Sequence, residues 1–144
     1  MRPHLLALAL ARTACARTDP EALPNVRLGM SPRDVRDRFD PGGPGKEAGA
    51  WQTRVGTGDD TVLEWSARQP TTRVEQARFE FHLGMLVAVR AKLRDTTPAE
   101  RIEATPKTVL VRRPAGPSET ELMLLARDCP THHEEAESLA SRAR

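Results

Sequence analysis

The stretch that decides the fold is Val74 to Leu93, VEQARFEFHLGMLVAVRAKL. Ala77, Phe79 and Phe81 alternate with Arg78, Glu80 and His82. Beyond a glycine, Met85, Val87, Val89 and Ala91 alternate with Leu86, Ala88 and Arg90. Two period-two runs joined by a glycine mark a β-hairpin with one buried face. Loop length then sets the register. A three-residue loop of His82, Leu83 and Gly84, with Gly84 left-handed, places Phe81 opposite Met85, Phe79 opposite Val87 and Ala77 opposite Val89, so apolar meets apolar at each step. A two-residue loop of Leu83 and Gly84 would set Ala77 against Arg90, so the pattern favours the longer loop.

Upstream, Trp51 to Val55 and Thr61 to Ser66 flank Gly56-Thr57-Gly58-Asp59-Asp60 and form a second hairpin. Pairing Trp51 with Trp65, Thr53 with Leu63 and Val55 with Thr61 brings both tryptophans to one face, where large aromatic pairs contribute most. Asp59 and Asp60 read as turn residues, because a calcium loop needs a longer spaced set of oxygen ligands ending in glutamate. Before this hairpin, LGMSPRDVRDRF (28–39) carries a complete helix start. Ser31 is the N-cap, Pro32 the first helical residue and Asp34 the capping-box partner, while Met30 and Val35 form a staple. Val35 and Phe39 make one apolar stripe. The glycine-proline run after Asp40 ends the helix; no Gly-Lys-Ser/Thr follows, so it is a loop and not a phosphate cradle.

Downstream, Asp95 to Pro106 is polar and proline-bounded, with at most a helical turn around Ala99 to Ala104. Lys107 to Arg113 and Glu119 to Arg127 read as strands around the turn Pro114 to Ser118. Leu122 to Ala126 is apolar enough for a strand covered on both faces. Thr131 with Glu134 forms a second capping box, opening a closing helix through Arg142 with Ala136, Leu139 and Ala140 on its apolar face. The expected class is α+β: a short capped helix packed on a mostly antiparallel sheet built from successive hairpins, with a C-terminal helix.

At 144 residues, residues 25–144 suit one domain with one core. Lys and Arg number 22 against 20 Asp and Glu, and the aromatics are three Phe and two Trp. With no basic stripe and no aromatic stacking platform, nucleic acid is excluded as a partner. No run approaches the roughly twenty apolar residues of a membrane-spanning helix. Residues 1–16, MRPHLLALALARTACA, have the form of an export leader: Arg2 in a positive n-region, Leu5 to Ala11 as an apolar h-region, and Ala14-Cys15-Ala16 as a small-x-small cleavage site. Cys15 after Ala14 also suits a lipoprotein signal, so cleavage after Ala16 and lipidation of Cys15 are both open. Residues 17–24 form a polar linker, and no disulfide between Cys15 and Cys129 is expected.

Chemistry, if present, would centre on Asp128, Cys129, His132 and His133, with His82 at the hairpin turn. One cysteine and two histidines can hold zinc, and Cys129 with a histidine base can act as a nucleophile. Adjacent histidines on a helix point about 100° apart, however, and only His133 with Glu137 has one-face spacing. No catalytic, metal or cofactor residue is therefore assigned; a metal-binding or thiol-dependent enzyme using Cys129 with His132 and His133 is the alternative.

Residues 26–93, from VRLGMSPRDVRDRF through the tryptophan-bearing strand to RFEFHLGMLVAV, resemble the small outer-membrane lipoprotein of the bacterial β-barrel assembly machinery. The family has the same order: a Gly-Met before a capped helix, a tryptophan strand, and an aromatic strand turning through glycine into an apolar one. The resemblance implies a helix-plus-antiparallel-sheet domain of the periplasm or outer membrane. It further implies work by binding a protein partner and not by chemistry, with contact to membrane only through a lipid anchor at Cys15.

Overall fold

The computed structural model describes residues 23, 25–41, 48–56, 60–97 and 99–143. The expected leader with Cys15, and all of the 17–24 stretch except Leu23, lie outside them. The described chain is α+β: α1 (Pro32–Arg38), β1 (Gly49–Val55), β2 (Asp60–Ala67), β3 (Val74–His82), β4 (Met85–Leu93), β5 (Arg101–Ala104), β6 (Thr108–Gly116), β7 (Glu119–Ala126) and α2 (His133–Ala140). All seven strands form one antiparallel sheet in the order β1-β2-β3-β4-β7-β6-β5. The most apolar strand takes a central place. β7, with Leu122 to Ala126 all buried, sits between β4 and β6.

The two faces are built differently. On one face Leu63, Trp65, Ala77, Phe79, Phe81, Leu86, Val89, Ala91, Leu93, Leu122 and Leu124 pack with Val35 of α1, Phe39 and Leu23. Phe39, the C-cap of α1, is the plug: its ring lies 5.2–5.6 Å from those of Trp51, Trp65 and Phe79, edge-on to each. Such edge-to-face pairs add to the area buried. On the other face α2 lies over β5 to β7 and reaches β4, burying Ala136 and Leu139 against Val109, Val111, Met123, Leu125 and Ala88. The rest of that face, over β1 to β3, is polar.

Much of the local structure follows the sequence. Ser31 Oγ accepts the Asp34 N–H at 3.1 Å, and Pro32 starts α1. Gly29, at φ +89°, turns the preceding segment so that its N–H donates to the Leu86 carbonyl while the Leu86 N–H donates to Met30. In the first hairpin Trp51 lies opposite Trp65, Thr53 opposite Leu63 and Val55 opposite Thr61, as the apolar pattern requires. Gly49 is needed there, because a Cβ would overlap the Trp65 indole. Phe79 and Phe81 are buried.

The central hairpin corrects the expected register. Its loop is the two residues Leu83 and Gly84, both left-handed at φ 52° and 74°, with His82 opposite Met85. A bulge between Glu80 and Phe81 then places Phe81 opposite Leu86, Phe79 opposite Val89 and Ala77 opposite Ala91. One extra residue on β4, Val87, restores the apolar pairing that the short loop alone would have destroyed. Met85 is consequently exposed. Residues 101–104 are also not a helical turn but β5, because Ile102 packs beside the α2 cluster and the backbone pairs with β6. Finally, α2 begins at His133 with His132 as N-cap and no side-chain cap bond. The His132 side chain is drawn into the sheet, so the Thr131 box does not form.

Candidate functional site

The residues singled out for chemistry are dispersed. Cys129 is a free, buried thiol whose carbonyl accepts the His132 N–H. His132, only 8% exposed, bonds through Nε2 to Glu80 Oε2 on β3 at 2.8 Å. That bond outweighs burial and, with Arg78 and Arg90 nearby, holds the Glu80 carboxyl at about 2. His133 donates from Nδ1 to the Arg127 carbonyl at 2.7 Å; a carbonyl only accepts, so this nitrogen carries the proton. Glu137, the one-face partner expected for His133, instead accepts from Nε and Nη2 of Arg127 at 2.7 and 2.9 Å, which lowers its pKa. His82 pairs with Asp60 at 2.7 Å. Among the described residues, no three of His, Cys, Asp and Glu are grouped to hold a metal ion.

Two of these pairs, Asp60 with His82 and Glu80 with His132, line one cleft of about 220 Å³ between the β2–β3 end and the start of α2. Each carboxylate orients its imidazole. Beside it the polar sheet face carries a ladder of alternating charge: Arg54 to Glu64, Glu64 to Arg78, Arg78 to Glu80, and Arg90 to both Glu80 and Glu135. Arg54, Glu64, Arg78 and Arg90 of this ladder line an open groove of about 600 Å³. Its charges neutralise one another across strands, and pairs of this kind fix side-chain positions more than they add stability.

Among the described residues, the outer edge of β1 is left without a neighbouring strand. The N–H of Gly56 donates to the Asp60 carbonyl and that of Arg68 to the Ala48 carbonyl, which places the even-numbered residues of β1 in the hydrogen-bonded pairs with β2. In an antiparallel ladder the alternate residues then turn their N–H and C=O groups away. Gly49, Trp51, Thr53 and Val55 therefore present a row of donors and acceptors along the edge, and among the described residues no strand lies beyond it. Gln52 to Val55 are exposed, Val55 at 84%. The opposite edge is blunted: β5 has four residues, and Arg101 and Glu103 pair along it at 3.0 Å.

Side chains above β1 shape that edge. Arg36 of α1 donates from Nη2 to Thr53 Oγ1 at 2.6 Å, and its guanidinium carbon lies 6.0 Å from the Trp51 ring centre. Arg54 projects on the other face. Sequence reasoning singled out neither, because the edge position of β1 follows from strand order, which no local pattern encodes. Comparison with protein families, with curated proteins and with solved structures found no match.

Proposed function

We propose that this chain is a non-enzymatic protein-interaction domain of the bacterial envelope, exported or lipid-anchored, that takes its partner along the open edge of β1. The observation that carries this is the seven-residue edge strand, whose outward backbone groups and exposed Val55 offer a template for a further strand. The histidines bind elements of the fold to one another, in keeping with an interaction role. The envelope assignment draws on the leader-like residues 1–16 and on the resemblance of residues 26–93 to the lipoprotein of the β-barrel assembly machinery.

The test joins location to contact. In the native host, intact-mass measurement should give a mature chain starting at Arg17, or at a diacylglyceryl-modified Cys15, in the envelope fraction. A photo-crosslinking residue at Val55 should give a defined adduct, and one at Ser118, in the turn between β6 and β7, should not. Intact Met1 in the cytosol overturns the envelope assignment. Equal adducts from both positions overturn the edge.

A further inference from the structure

We infer that the partner strand is an acidic extended segment, with carboxylates on two successive residues between apolar ones. This rests on β1 being the docking edge and adds the chemistry that selects what docks there. Among the described residues β1 itself, GAWQTRV, carries a cation and no acid, and Arg54 and Arg36 lie on its opposite faces. Arg36 reaches over Thr53 on the α1 face, and among the described residues it has hydrogen-bond and ring contacts but no carboxylate. Arg54, exposed on the other face, shares the single carboxylate of Glu64 with Arg78. Arg78 also bonds Glu80, so the ladder is balanced in charge; what Arg54 offers an incoming acid is its exposure, 65%, with Nε held by Glu64 at 3.1 Å.

Register fixes where the acids fall. In antiparallel addition the residues opposite Trp51, Thr53 and Val55 direct their side chains to the α1 face, and those opposite Gln52 and Arg54 to the groove face. A partner running Val-Glu-Glu-Thr-Val therefore sets its first valine against exposed Val55, its first glutamate against Arg54, its second against Thr53 within reach of Arg36, and its last valine against the outer side of Trp51. A second copy of the same strand satisfies this less well. Pairing β1 with itself about Thr53 matches Trp51 with Val55 but gathers two Arg36 guanidiniums at the symmetry axis.

The experiment titrates the full chain with the capped peptide Thr-Val-Glu-Glu-Thr-Val-Thr, following backbone amides by ¹⁵N NMR, against the same peptide with lysines for both glutamates. The glutamate peptide should shift the amides of Trp51, Thr53 and Val55, and the lysine peptide should bind at least tenfold more weakly. Arg36→Ala and Arg54→Ala should each weaken binding about threefold to fivefold, the range of an exposed ion pair. N-methylating the glutamate opposite Thr53 should abolish binding, whereas methylating the one opposite Arg54, whose N–H points outward, should not. Equal binding of the lysine peptide overturns the charge selection while leaving the edge as a docking strand. No response of the β1 amides to either peptide, in a chain whose spectrum is folded, overturns edge and selection together. A dimer in sedimentation that Val55→Arg dissociates assigns the edge to a second copy and overturns the acidic partner.

Discussion

The two helices hold the sheet by different physics. α1 is seven residues long and docks by inserting apolar groups: Val35 is fully buried, and Phe39 closes its end against three aromatic rings. α2 is hardly longer, but its buried residues are only Ala136 and Leu139. Charged contacts supplement that small patch: Arg90 to Glu135 at 2.7 and 3.1 Å, Arg127 to Glu137, and His132 to Glu80. Arg90 lowers the pKa of Glu135, and Glu135 raises that of Arg90. Apolar burial is nearly indifferent to pH and salt, whereas ion pairs answer to both. The α1 side should therefore behave as the permanent core and the α2 side as a conditional one.

The largest effect expected is on the α1 side. Phe39→Ala removes a ring shared by Trp51, Trp65 and Phe79, and should cost about 3 to 5 kcal/mol. Because these rings span α1, β1, β2 and β3, the loss should appear as a lower melting temperature with one cooperative transition. A melting temperature within a degree or two of wild type would mean that α1 is an accessory, and the contrast would fail.

That ring cluster also shows how far the sequence could be read. The cap at Ser31, the stripe of Val35 and Phe39, and the Trp51–Trp65 register are local or period-two features, and each is present. The bulge beside Phe81 is invisible in the pattern, because an uninterrupted period-two reading admits no extra residue, and without one the two-residue loop sets Ala77 against Arg90. β5 is hidden for the opposite reason: Glu100, Glu103 and Ala104 are good helix formers, and only the pairing with β6 overrides them. The pair of His132 with Glu80 joins positions far apart in sequence, so the helix start drifted from Thr131 to His132 without any local sign.

The α2 side is tested through Glu80. Its carboxyl falls from 4.5 to about 2 because His132 bonds the charged form, so its ionisation stabilises the fold fully above pH 5 or so and contributes less as pH drops from about 4.5 toward 2. Discounted for partial exposure, the contribution is on the order of 2 kcal/mol. Glu80→Gln should therefore destabilise at pH 7 by roughly that amount, and the gap from wild type should close near pH 2. Hydrogen exchange sharpens the contrast with α1: amides of His133 to Ala140 should lose protection in the variant while those of Val35 and Phe39 keep theirs. A pH-independent gap, or equal loss in both helices, would show that α2 is held by packing after all.

The smallest effect has the opposite sign and falls on the hairpin that joins both sides. Leu83 sits at φ 52°, a left-handed conformation that places its Cβ against the following carbonyl. The side chain is 61% exposed, so packing offsets little of that strain. A two-residue turn with both residues left-handed is the type that asparagine-glycine fits best. Gly84 already supplies the second position, at φ 74°, with open space around it. Leu83→Asn should therefore stabilise the protein by about 1 kcal/mol. Since β3 and β4 meet α1 on one face and pass Glu80 and Arg90 to α2 on the other, the gain should raise protection in both helices equally. A loss of stability would mean that Leu83 makes a contact worth more than its strain, and a partner at the exposed hairpin tip, beside Met85, would become the explanation to pursue.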